Sequence, residues 1–275
     1  MKQLVTRTIF GAIYVAAIVG GIIGGKIPML ILLLMLCTLG IDEFLTVTHR
    51  DEADTARSLA VRLLDCAGAC TLVLGVWANL YMAAFLLFAI YLIWRMTIQL
   101  YIKGQNPIKS VALSMMGHLY VTVPIVLMAV MGTINKYFLL SMFILVWVND
   151  TFAYLTGSML GRHKLWERIS PKKSWEGFIG GAVFCIVASV LLGVYWTQIA
   201  LQFTPLQMAF VGLLVAIFGT LGDLFESLLK RTLGVKDSGN IIPGHGGILD
   251  RIDSILFVIP VTLTFMFLLL MYGII

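Results

Sequence analysis

Long apolar stretches leave this chain one kind of fold. They run roughly over 9–25, 28–48, 63–79, 81–101, 111–131, 137–160, 177–200, 206–229 and 254–275. Each is about long enough to carry a helix across ~30 Å of hydrocarbon at ~1.5 Å per residue. With no water in the bilayer core, backbone groups must bond within their own segment, which selects helices. The mean hydropathy of +0.99 excludes a soluble domain with an apolar core and a polar shell. The expected fold is therefore an all-α polytopic integral membrane protein with about nine transmembrane helices. Only Ala78, Asn79 and Leu80 part the third segment from the fourth, so a tight helical hairpin is expected there.

Basic residues set the orientation. Alternate loops hold sixteen of the nineteen Lys and Arg residues, whereas the opposite side has only Lys26 and Lys136, and Arg95 lies within a span. Cationic loops stay on the cytoplasmic side, so the N-terminus is expected inside the cell. The net charge of +5 is then a cytoplasmic-face feature suited to anionic lipid heads and nucleotides. No basic arm or binding fold accompanies it, so no nucleic-acid partner is expected. Cys37, Cys66, Cys70 and Cys185 lie in apolar segments and read as small core residues. The first apolar run lacks a clear cleavage site and reads as a retained helix.

Charge and backbone punctuation concentrate in residues 219–254. Asp223, Glu226, Ser227 and Lys230 fall at i, i+3, i+4 and i+7, on one face of the inner end of a helix. Arg231, Lys236 and Asp237 follow, then the turn Pro243-Gly244-His245-Gly246-Gly247, then Asp250, Arg251 and Asp253. Glycines let a backbone approach an anion closely, and successive N–H groups in such a turn can cradle it. Carboxylates beside basic groups suit phosphoryl chemistry on a divalent metal. A plain connector would explain Lys230 and Arg231 as flanks and Asp253 as a helix cap. It would not explain five carboxylates and a glycine turn together.

A second stretch, 147–177, carries Asp150 inside the sixth span and Tyr154 one turn further on the same face. The loop after it is the most basic in the chain. Ser170-Pro171 reads as a helix N-cap with proline at the first position, which would put Lys172 and Lys173 in the first turn of a short helix. Free N–H groups and two lysines would then favour phosphate.

These two stretches together resemble the signature of phosphatidate cytidylyltransferases, also called CDP-diacylglycerol synthases. The ordered match runs Ser227-x-x-Lys230-Arg231, Lys236-Asp237-Ser238-Gly239, Pro243 to Gly247 and Asp250-Arg251-x-Asp253; Asp150-Thr151-x-Ala153-Tyr154 and the string from Ser170 to Gly177 belong to the same likeness. Ser158, Leu160 and Ser174 depart from the family pattern, which puts local substrate contacts in question. The likeness covers roughly 145–255 and hardly touches the N-terminal half.

The resemblance implies an enzyme that joins CTP and phosphatidate into CDP-diacylglycerol and releases pyrophosphate at the bacterial cytoplasmic membrane, its site facing the cytoplasm. It implies Asp223, Lys230 and Asp250 as catalytic residues. Asp223, Asp250 and Asp253 would hold Mg²⁺, in a one- or two-metal site. Asp150, Lys172, Lys173, Ser227, Arg231, Lys236, Asp237, His245, Gly246, Gly247 and Arg251 would contact substrate. It leaves room for a homodimer. Another lipid- or polyprenol-phosphate transferase is the alternative enzyme, and a transporter of an anionic metabolite is the alternative class. The chain is expected to divide into residues 1–135, holding five spans, and a catalytic region 136–275 with motif loops at 161–176 and 230–253.

Outside the likeness, Asp42 and Glu43 are intramembrane carboxylates for which structural pairing and a site-lining role are equally open. Arg95 is expected to snorkel or pair. His118 reads as a satisfied core histidine, and Pro124 as a potential kink. A cysteine introduced at Ser170 should resist an impermeant reagent added outside intact cells. Efficient labelling from outside would reverse the orientation.

Overall fold

The structure is a computed structural model that describes residues 2–48, 59–102, 106–239, 241 and 246–274, with the backbone alone for 2–7. Among the described residues eight helices are long and apolar enough to cross a membrane, and Thr8–Ile23 forms a shorter apolar helix. These correspond to the nine apolar segments of the sequence. The chain forms two compact units. One comprises Met1–Ile134 and Val235–Arg251, the other Asn135–Gly234 and Ile252–Ile275.

The first unit begins with α1 (Lys2–Ile23) and α2 (Lys26–Thr48), then α3 (Leu59–Trp77) and α4 (Tyr81–Gln99). The turn between α3 and α4 is as tight as expected. Asn79 takes a left-handed φ of 59°, which Asn tolerates better than other side-chain-bearing residues. Asn106 caps α5 (Pro107–Gly117), which passes through a π-helical turn, His118–Thr122, into α6 (Val123–Ile134). Pro124 sits just beyond that turn.

A hydrogen-bonded polar chain crosses the interior of this unit. Arg95 and Asp65 are fully buried and pair at 3.3 Å. Arg95 also donates to Ser114, Gln99 and Ser110. Ser114 and Tyr91 each donate a hydroxyl proton to Asp65. The Tyr91 proton is thereby committed, so His118 Nε2, 2.5 Å away, must donate to the Tyr91 oxygen. That tautomer leaves His118 Nδ1 to accept from Thr122 Oγ1 at 3.0 Å. His118 is thus a satisfied core residue, and Arg95 pairs rather than snorkels.

The second unit begins with α7 (Lys136–Leu160). Asn135 caps it, accepting from the Tyr137 and Phe138 amides. Here one expectation fails. Residues 164–174 form a β-hairpin, β1 (Lys164–Trp166) against β2 (Ser170–Ser174), and not the start of a helix. The helix α8 (Trp175–Tyr195) begins five residues after Ser170, and its cap is Ser174, which accepts from the Gly177 amide. A one-turn helix α9 (Thr197–Ala200) leads to α10 (Pro205–Thr232), which opens on a capping box of Thr204 and Gln207. The last helix is α11 (Leu249–Met271), of which Ile252 onward belongs to this unit.

Small residues at four-residue spacing let α7 and α8 approach closely, the device membrane helices use in place of a hydrophobic drive. Asn149, Ala153 and Gly157 on α7 face Gly177 and Gly181 on α8. A Cβ built on Gly177 would lie 2.8 Å from the Ala153 carbonyl oxygen and 3.1 Å from the Gly157 Cα. Those neighbours are backbone and cannot swing aside. Overpacking of this kind costs about 1–3 kcal/mol, more than the ~1 kcal/mol of helix propensity that Ala gains over Gly. Gly177→Ala should therefore lower the thermal midpoint of detergent-purified protein. Gly20→Ala, which meets nothing within 4 Å, should leave it unchanged or raise it.

Candidate active site

In the second unit the C-terminal end of α10 turns its polar face toward β2 and toward α11 at Asp253. A strand sends alternate side chains to opposite faces. Lys172 is accordingly exposed, while Lys173 points inward and pairs with Asp223 at 2.7 Å. The two lysines, equivalent in a helix start, are not equivalent in the hairpin. The other Asp223 oxygen accepts from Ser227 at 3.3 Å, as i,i+4 spacing allows. One turn on, Lys230 donates to Glu226 at 2.6 Å. Glu226 is almost wholly buried, a position a carboxylate holds only with a partner. Arg231 reaches across to the Ile169 carbonyl at 3.4 Å, tying α10 to the turn of the hairpin.

The hairpin itself is clasped at its base. Glu176, in the first turn of α8, accepts from the Arg162 and His163 amides and meets His163 Nδ1 at 2.6 Å. A carboxylate at a helix N-terminus also complements the helix dipole.

α11 lies against α10 with almost no spacer: a Cβ on Gly222 would fall 2.5 Å from the Asp253 carbonyl oxygen. This brings Asp253 beside Asp223. Asp253 is within electrostatic reach of Asp223, Glu226 and Asp150, so four carboxylates from α7, α10 and α11 share one neighbourhood. Lys173 and Lys230 stand among them. Among the described residues, no group of three His, Cys, Asp or Glu side chains is gathered closely enough to hold a metal ion on its own. The donors offered are carboxylate oxygens, which suit a hard cation.

The remaining expected residues belong to the first unit. Here Asp250, in the first turn of α11, organises the preceding loop. Its Oδ2 accepts from the Ser238 amide at 3.0 Å, the Ser238 hydroxyl at 2.9 Å and the Gly247 amide at 2.8 Å. Gly246 has a φ of +83°, and a Cβ there would come 2.5 Å from the same oxygen, so the turn admits only glycine comfortably. Lys236, Asp237 and Arg251 are exposed. His245, with Pro243 and Gly244, lies outside the described residues.

Three acidic contributions were not among the residues expected at the site. Glu226 was visible as the i+3 neighbour of Asp223, yet it emerges as the partner of Lys230. Glu176 stood inside the family-like string but was given no role of its own. Glu43, left open between pairing and lining, touches the loop from α2 through Ser238 and the Ile248 amide. Its neighbour Asp42 instead takes a two-pronged hydrogen bond from Arg62, at 2.6 Å on each oxygen.

A family model described as the cytidylyltransferase family matches residues 5–269. A phosphatidate cytidylyltransferase of Staphylococcus aureus (strain COL) is 52% identical over 124 residues, 45% of this chain and 46% of the relative. One from Staphylococcus haemolyticus (strain JCSC1435) is 40% identical over 158 residues, 58% of this chain and 60% of the relative. The chain thus spans about half the length of the first relative and 60% of the second.

Proposed function

This chain belongs to the cytidylyltransferase family, and we propose that it joins CTP and phosphatidate into CDP-diacylglycerol and pyrophosphate. The observation that carries this reading is Lys173 held against Asp223 beside Asp253, Glu226 and Asp150. In the proposed reaction a phosphate oxygen of phosphatidate attacks the α-phosphorus of CTP. A new P–O bond forms, the α–β bridging P–O bond breaks, and pyrophosphate leaves with the electron pair. The attacking phosphate is already ionised, so a general base is not required. The barrier is the approach of two anions.

Cations fixed in advance lower that barrier, because they cost no reorganisation when charge develops. Lys173 and Lys230 are such cations, each oriented by a carboxylate that an arriving phosphate can replace. Lys172, exposed on β2, and Arg231 are proposed to contact phosphate from the rim. Asp150 and Ser227 are proposed to orient substrate. In the first unit Lys236, Asp237, His245, Gly246, Gly247 and Arg251 are proposed as further substrate contacts. Asp223 and Asp253 in the second unit, and Asp250 in the first, are each proposed as Mg²⁺ ligands, which fits their oxygen-only chemistry; the ion, when bound, would screen phosphate charge. Magnesium commonly takes one or two carboxylates and fills its shell with water and phosphate oxygens, so a three-carboxylate cage is not needed. The reaction is proposed to face the cytoplasm, the side to which the charge asymmetry would assign the basic loops.

Purified protein given phosphatidate, Mg²⁺ and each of the four labelled nucleoside triphosphates in turn should form a lipid-linked nucleotide from CTP. No such product, or equal use of all four, would overturn the proposal. Lys173→Ala should lower kcat/KM by about 10²-fold or more, the scale of one preorganised contact, and Lys172→Ala by much less. Equal mild losses in both, and in the flank control Lys109→Ala, would reduce Lys173 to a topology signal. Asp223→Asn should keep the fold and lose most activity at saturating Mg²⁺. Near-normal turnover would remove it as a ligand.

A further inference from the structure

We infer that Glu43 is a positioning residue that ties together residues 235–239 and 246–248, the two described limbs leading into α11, although it lies outside every family-like motif. Glu43 sits on α2 and is 5% exposed. Among the described residues it has no basic partner. A buried carboxylate without a cation is costly unless hydrogen bonds satisfy it or function requires it. Here the loop satisfies it. Glu43 Oε1 meets the Ser238 hydroxyl, and Oε2 accepts from the Ile248 amide at 2.7 Å.

Those two partners lie on opposite limbs of the loop. Ser238 enters it and Ile248 leaves it for α11, so one carboxylate holds both limbs. Asp250 makes a parallel bridge from within, between Ser238 and Gly247. The Ser238 hydroxyl stands between the two carboxylates, and its single proton is shared by them. The fit is close on the backbone side as well. A Cβ on Gly239 would lie 2.8 Å from Glu43, and one on Gly247 would overlap Glu43 Oε1. Two glycines thus form the cradle that admits the carboxylate. α1 adds a second strut, since Tyr14 donates to the Arg251 carbonyl at 3.0 Å. The helices without a family motif hold the loop that bears one. Asp42, the preceding residue, is occupied by Arg62 and takes no part.

That the loop serves catalysis rests on the proposed function; that Glu43 holds it does not. Two measurements keep these apart. The first is amide hydrogen exchange in lipid nanodiscs without substrate. Glu43→Ala should speed exchange at Ser238, Gly247 and Ile248 by about tenfold or more, with α3 and α4 unchanged. Glu43→Gln should largely restore protection, because its amide reaches both limbs. Ser238→Ala should give an intermediate effect, and Asp42→Asn none at the loop. The second is turnover of CTP. Glu43→Ala should lower kcat by about tenfold or more, with KM for phosphatidate within about threefold, and Glu43→Gln should recover most of it. If Glu43→Ala does not fold, Glu43→Gln and Ser238→Ala carry the test. Loop exchange identical to wild type in Ser238→Ala and in every folded Glu43 variant would overturn the inference. A wild-type protein that turns over no CTP would instead overturn the proposed function, and the exchange result would still decide the role of Glu43.

Discussion

A charge inside hydrocarbon must find its partner within the protein, and this requirement shapes both units. Water cannot satisfy Asp65, Arg95, Glu43 or Glu226 where they sit, and each is met by a specific group on another turn or another segment. Replacing one member of such a pair strands the other, at a cost of several kcal/mol, whereas an apolar pair of similar volume would be nearly neutral. Retaining the ion pair between Asp65 and Arg95 therefore gains little in stability. It does tie α3, α4 and α5 together, because Arg95 and Asp65 also share hydrogen bonds with Ser110 and Ser114 of α5.

Much of the fold was legible because hydropathy is a local, additive signal. Nine apolar segments became helices, and the hairpin at Asn79 followed from a three-residue gap with no room for anything else. The β-hairpin was not legible. Ser170-Pro171 carries the cap chemistry of a helix start, and only pairing with Lys164 to Trp166 shows that the backbone is extended. A strand register is a non-local fact, and local cap signals cannot outvote it.

Site residues divide along the same line. Lys230 with Glu226 and Ser227 with Asp223 are i,i+4 neighbours, and helical spacing exposes them. Lys173 with Asp223 spans fifty residues and depends on the strand alternation that the sequence hid. Glu43 with Ser238 spans 195 residues. No periodicity in α2 distinguishes Glu43 from Asp42, although one meets a loop and the other an arginine. Proximity in the chain decided what could be read, rather than chemical distinctiveness.

The π-helical turn at His118–Thr122 bears on how the fifth apolar segment can be altered. Ser110, Ser114 and His118 recur every four residues, and in an α-helix each such step overshoots a full circle by ~40°. The wider turn contains more residues per revolution, so the next four-residue step falls short instead and brings Thr122 back beneath His118. Removing one residue there would restore the α-helical ladder and swing everything after it by ~100°. Val121 and Ile125, both without exposure, would rotate away from the contacts they now make. The segment 107–134 is thus defined by angular phase as much as by oiliness. A transplanted helix of the same length and the same hydrophobicity would cross the bilayer and still fail to complete the interior.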